Sequence, residues 1–104
     1  MNHFLHTVYF WLRSDLEAAR RSEFLVGLRK LADSTKVSSL RVGVPAGTLR
    51  DIVDNSWDFQ IVAEFASRDA HDVYQSPEDP VHAAFIAGFS DCWARVQVYD
   101  SMLA

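Results

Sequence analysis

Residues Phe4 to Leu12 read Phe-Leu-His-Thr-Val-Tyr-Phe-Trp-Leu, and this run limits the possible folds more than any other. Successive side chains of a strand point to opposite faces. His6, Val8, Phe10 and Leu12 therefore share one face, and Leu5, Thr7, Tyr9 and Trp11 the other. Both faces are largely apolar. The pattern predicts a central strand covered on both sides.

Three more segments alternate. Ser39 to Val44 places Leu40, Val42 and Val44 on one face, and Pro45 ends it. Ala46 to Ser56 reads as a polar loop. Trp57 to Phe65 directs Phe59, Ile61, Ala63 and Phe65 one way, against Asp58, Gln60 and Glu64. Trp93 to Tyr99 supplies a last strand. Ser14 and Glu17 have the spacing of a capping box, so a helix is expected from about Asp15 to Ser34. Its buried stripe would be Leu16, Phe24, Leu28 and Leu31.

The second helical region is broken by Ser76-Pro-Glu-Asp-Pro80. Ser67 and Asp69 open a short helix that ends near Tyr74 and Gln75. Pro80 then suits the first position of another helix, where its missing N–H is no loss. Asp79, just before it, can cap that helix. Val81, His82, Phe85 and Phe89 fall near one side of it.

The resulting order, β-α-β-β-α-β, is the ferredoxin-like α+β arrangement, an antiparallel sheet of four strands with helices on one face. Helices cover only one face, yet the first strand is apolar on both. A second copy of the chain is the simplest cover, so a homodimer closed into an α+β barrel is expected.

A length of 104 residues fits a single domain over 1–104. The formal net charge is −4 and the Arg residues are scattered, which argues against a nucleic-acid partner. No apolar run approaches the ~18–20 residues of a membrane span. Met-Asn-His-Phe-Leu-His lacks the pattern of a signal peptide, and the single cysteine is compatible with a reducing cytoplasm. Cys92 stands beside Asp91, whose carboxylate would raise the thiol pKa and disfavour a nucleophile. The four glycines form no phosphate-binding loop, so no cofactor is expected. A metal site made of His6, His82 and a carboxylate has neither an i,i+4 His pair nor a Cys cluster behind it, so none is expected. His3 and His71 read as solvent-exposed.

Four stretches together resemble the stress-responsive dimeric A/B barrel family, called Dabb. They are His6-Thr-Val-Tyr-Phe10, Phe59-Gln-Ile-Val-Ala-Glu-Phe65-Ala-Ser, Tyr74 with Pro80-Val-His82-Ala-Ala-Phe85, and Val96-Gln-Val-Tyr-Asp100. The resemblance spans nearly the whole chain and implies a ferredoxin-like protomer in a dimeric barrel. Many members of that family have no assigned activity. One plant member is a polyketide cyclase that closes a ring by aldol condensation, using a Tyr and a His between helices and sheet. Those positions match Tyr74 and His82, and a first-strand pocket His matches His6. A further pocket His is Phe59 here, Asp79 replaces another, and the loop before Pro80 is longer.

The strand faces imply a cleft lined by Val8, Phe10, Phe59, Ile61 and Ala63. Phe24, Leu28 and Phe85 would cover it, with His6, Tyr74 and His82 as its polar groups. A histidine near pKa ~6.5 can take a proton from carbon at neutral pH, and a tyrosine O–H can stabilise the enolate oxygen. The leading expectation is a binding or stress-related barrel for a small apolar or carbonyl-containing ligand. The alternatives are a cyclase- or isomerase-like enzyme, with His82 as base, Tyr74 polarising the oxygen and His6 orienting the substrate, and a cofactor-independent monooxygenase of the same architecture. A structural dimer whose cavity is filled by side chains completes the set.

Overall fold

The computed structural model describes residues 3–104. Strands β1 (Phe4–Leu12), β2 (Val37–Gly43), β3 (Phe59–Phe65) and β4 (Trp93–Met102) form one sheet in the order β2-β3-β1-β4. All neighbouring pairs are antiparallel. Helix α1 (Ala18–Lys30) runs on into a short 3₁₀ turn, Leu31–Asp33. Helices α2 (Arg68–Gln75) and α3 (Pro80–Phe89) flank the proline loop. This is the ferredoxin-like β-α-β-β-α-β fold, with β1 central as its sequence requires. Among the described residues, no helix is long and apolar enough to cross a membrane.

The inner sheet face is filled by Phe4, Val8, Phe10 and Leu12 of β1, set against Phe59, Ile61, Ala63 and Phe65 of β3. Helix α1 presents Phe24 and Leu28, neither with any exposed surface. Phe24 lies within 5.3–6.2 Å, centroid to centroid, of Phe10, Phe59, Phe85, Phe89 and Trp93. Helices α1 and α3 pack closely at Gly27, where an added Cβ would lie 2.5 Å from the Phe89 ring.

Two local expectations are corrected. Helix α1 begins only at Ala18, and Glu17 caps it without a side-chain hydrogen bond. The segment before it is held otherwise: Arg13 pairs with Asp15, and the Arg13 N–H donates to the Cys92 carbonyl. Strand β2 ends at Gly43, so Val44 lies outside the sheet and is exposed.

The capping expectations at the broken helix fit the structure. The Ser67 hydroxyl accepts from the Ala70 N–H. Asp79 Oδ1 accepts from the Val81 and His82 N–H groups at 2.9 and 3.0 Å. The Ser34 hydroxyl donates to Asp79 Oδ2 at 2.6 Å. Asp79 is buried, and burial opposes its charge. The bonds from Ser34, His82 and Val81 outweigh that and hold its carboxyl below the usual range. Asp79 thus ties the end of the α1 segment to the start of α3. Asp79→Ala is expected to cost roughly 0.5–2 kcal/mol. Thermal melts should show this as a midpoint several degrees lower; an unchanged midpoint would rule the role out.

Candidate functional site

The helices leave the inner face of β4 largely uncovered. Val96 and Val98 remain 41% and 40% exposed. A cleft of about 260 Å³ opens there, between the sheet and the α2–α3 elbow. Its floor is His6, Val8 and Phe10 of β1 with Ile61 of β3. Tyr74, His71 and Gln75 enter from α2, and His82, Phe85 and Ile86 from α3. Leu31, Trp93, Val96, Val98 and Asp100 complete the wall. The volume is near the small end of the range for small-molecule sites.

The structure brings His6, Tyr74 and His82 together on this cleft, with Val8, Phe10, Ile61 and Phe85. Phe24, Leu28, Phe59 and Ala63, expected in its lining, lie in the packed core behind it instead. Their rings and methyl groups fill the space between α1 and the sheet, so the opening falls on the β4 side. His71, read as exposed, is a second correction. Its ring is buried, stacked on Phe4 at 4.2 Å between centroids. His3 is half-buried, with Nδ1 3.2 Å from Glu64 Oε2.

Two polar groupings face the cleft. In the first, His6 Nδ1 is 2.5 Å from Asp100 Oδ1. The β1–β4 register sets Asp100 directly opposite His6. His6 Nε2 lies 3.3 Å from the Gln75 side-chain amide nitrogen. A consistent assignment has Nδ1–H donating to Asp100 and Nε2 accepting from Gln75. His71 Nδ1 is 3.1 Å from Asp72 Oδ1, and Nε2, 3.9 Å from Asp100 Oδ2, is buried without a hydrogen-bond partner among the described residues.

The second grouping is Tyr74 with His82, rings tilted and 4.6 Å apart. Tyr74 is buried and His82 half-buried. Among the described residues, neither the Tyr74 hydroxyl nor the His82 ring makes a hydrogen bond. Burial, and then the charge of Asp79, push the Tyr74 pKa up, so its hydroxyl stays protonated. Burial is also the main cause that lowers the pKa of both His6 and His82, against the opposing pull of Asp100 and Asp79 respectively.

Both rings are therefore neutral at pH 7, and stability should depend on pH. The unfolded chain takes up these protons near pH ~6.5. Below that, the unfolded state binds more protons than the folded one, so stability falls as the pH falls. Asp79 adds its own loss only near and below the ordinary aspartate range. The melting midpoint should therefore be lower at pH 5 than at pH 7 at fixed ionic strength. A midpoint equal or higher at pH 5 would contradict the assignment.

Cys92 is no competing nucleophile. It is fully buried, and burial above all holds its thiol pKa up.

Residues 4–103 match the family model described as the stress responsive A/B barrel domain, Dabb. A comparison with curated proteins gives no match. Among solved structures, a Dabb family protein with a ferredoxin-like fold from Mesorhizobium loti is similar at 21% identity and a TM-score of 0.78, covering 100% of this chain and 99% of that one. A dimeric ferredoxin-like protein of unknown function from Thermobifida fusca gives 20% identity and a TM-score of 0.78, over 98% of this chain and 92% of the other. A hydroxynitrile lyase from Passiflora edulis gives 13% identity and a TM-score of 0.81, over 98% and 94%.

Proposed function

The chain belongs to the stress responsive A/B barrel domain family, and within that frame we propose that its cleft takes up a small, mainly apolar carbonyl compound and moves a proton at the adjacent carbon. The observation that carries this reading is the Tyr74–His82 pair: two polar rings without hydrogen-bond partners among the described residues, 4.6 Å apart on the wall of a mainly apolar cleft. Both rings line the cleft, and no protein group occupies their polar atoms among the described residues. Here they are left free to meet a ligand.

The roles divide by what each group already holds. His82 is neutral and unengaged, so its lone pair can take the proton. The Tyr74 hydroxyl donates to the oxygen on which negative charge develops. His6 is held on both nitrogens, by Asp100 and Gln75, and serves to orient the substrate. The lyase among the similar structures lends fold-level analogy only. The test is exchange of α-hydrogen for deuterium in a panel of small β-keto and aryl ketones, followed by NMR. Exchange above the buffer rate supports turnover. Saturable binding without exchange removes the proton-transfer step and leaves a binding protein; the absence of both binding and exchange overturns the reading.

The same proposal includes a homodimer. The outer face of β1 carries Leu5, Tyr9 and Trp11, no helix among the described residues covers it, and Tyr99 beside it on β4 is 63% exposed. Two such faces would bury more than ~1,000 Å² between them. Sedimentation should give twice the chain mass at micromolar concentration; a stable monomer would refute the dimer.

A further inference from the structure

We propose that His6, His71 and Asp100 form a binding site for one first-row divalent metal ion of the zinc class. Nitrogen and oxygen atoms of the three residues lie within 4.8 Å of one another, at the β4 wall of the cleft. Two imidazoles and one carboxylate are a donor set suited to such ions.

The independent pointer is His71. Its side chain is 9% exposed, and Nε2 has no hydrogen-bond partner among the described residues. With Nδ1–H given to Asp72, the Nε2 lone pair points toward a carboxylate oxygen 3.9 Å away. A buried ring nitrogen near a partly exposed carboxylate leaves room for something positive between them. Asp72 also stands where the outer partner of a metal-bound histidine belongs. A carboxylate on the far nitrogen fixes the tautomer and makes the ring a better ligand.

His6 is arranged in a compatible way. Its hydrogen bond to Asp100, at 2.5 Å, joins two donor atoms that the ion would bridge. An ion with bonds of ~2.0–2.2 Å in tetrahedral geometry sets its donors roughly 3.3–3.5 Å apart. The His6–Asp100 pair would open by somewhat under ~1 Å, and the widest of the three donor separations, within 4.8 Å, would close by up to about 1.5 Å. Binding through Nδ1 moves the His6 proton to Nε2. Gln75 can accept it there by a half-turn of its amide, the flip that makes oxygen and nitrogen interchangeable. Three protein donors leave a position open toward the cleft, as in metal sites that admit a ligand.

Titration with metal tests the site. Tag-free protein is titrated with Zn²⁺ by calorimetry, and with Co²⁺ by visible absorption. One equivalent per chain is expected, with the intense absorption of a low-coordinate Co²⁺ centre. Asp100→Asn keeps the shape of a partly exposed side chain and should weaken binding at least tenfold. His71→Phe keeps the ring stack on Phe4 and should do the same. Asp72→Asn should weaken it about 10-fold or more. Circular dichroism reads whether each variant is folded. The absence of saturable binding by wild type overturns the site, as does binding that both ligand substitutions leave unchanged. The titration reads the ion alone, so its outcome is independent of whether the cleft turns over a carbonyl compound.

Discussion

Replacing His82 by alanine is expected to lower the rate of proton exchange in the cleft by about 10²–10⁴, the usual contribution of one positioned acid–base group. The loss should appear in kcat, because proton transfer develops only in the transition state. Stability should change little. The His82 ring makes no hydrogen bond among the described residues, and its main aromatic contact is the Tyr74 ring. Such a pair is worth about 0.5–1.5 kcal/mol beyond its buried area. The backbone N–H of residue 82 would still reach Asp79, since alanine retains it. The cap on α3 and the cleft wall therefore survive the substitution. The pH profile gives a second readout. The working form of His82 is the neutral ring, and burial lowers its pKa below 6.5. The wild-type rate should rise with pH through a value under 6.5, and the residual rate of the variant should lack that step. Equal rates for the two proteins, or a rate that falls as pH rises through this window, would take His82 out of the chemistry.

The parts of the site that local rules govern were legible in the sequence. Asp79 before Pro80 predicts a capped helix, and the alternation of Phe4–Leu12 places His6, Val8 and Phe10 on one face. Tyr74 and His82 follow from the helices that meet at the proline loop. Asp100 was not legible as a partner of His6, because alternation assigns a face but not a register. Only the pairing of β1 with β4 sets residue 100 against residue 6. His71 was missed for a related reason. Its neighbours Asp69, Ala70 and Asp72 read as a solvated helix, and nothing local announces that Phe4 stacks on its ring. Phe24, Leu28, Phe59 and Ala63 share faces with the cleft's lining, so alternation alone does not separate them from it. Which part of an apolar layer is filled and which stays open depends on ring packing across α1, α3 and the sheet.

That packing leads to the other large expected effect: Phe24→Ala should destabilise the fold by about 3–5 kcal/mol. Phe24 has no exposed surface, and its ring meets five other aromatic rings from four elements. Those neighbours cannot all close on the vacated volume. Phe10 and Phe59 are fixed by paired strands, and Phe89 is already pressed against Gly27. The lost transfer energy is therefore joined by the cost of a cavity. A domain has only about 5–15 kcal/mol of net stability, so this is a large share of the total. The melting midpoint should fall by more than ~10 °C. In urea the transition midpoint should drop with little change in slope, the sign of lost stability without a changed unfolded state. The cleft should suffer too, although Phe24 does not line it. Phe85, which does, sits 5.8 Å from Phe24 between centroids and would lose its backing. Ligand binding should weaken in Phe24→Ala even at a temperature where the variant is folded. A loss under ~1 kcal/mol would mean that the aromatic layer collapses freely around the gap, and that the line drawn here between filled core and open cleft is not set by Phe24.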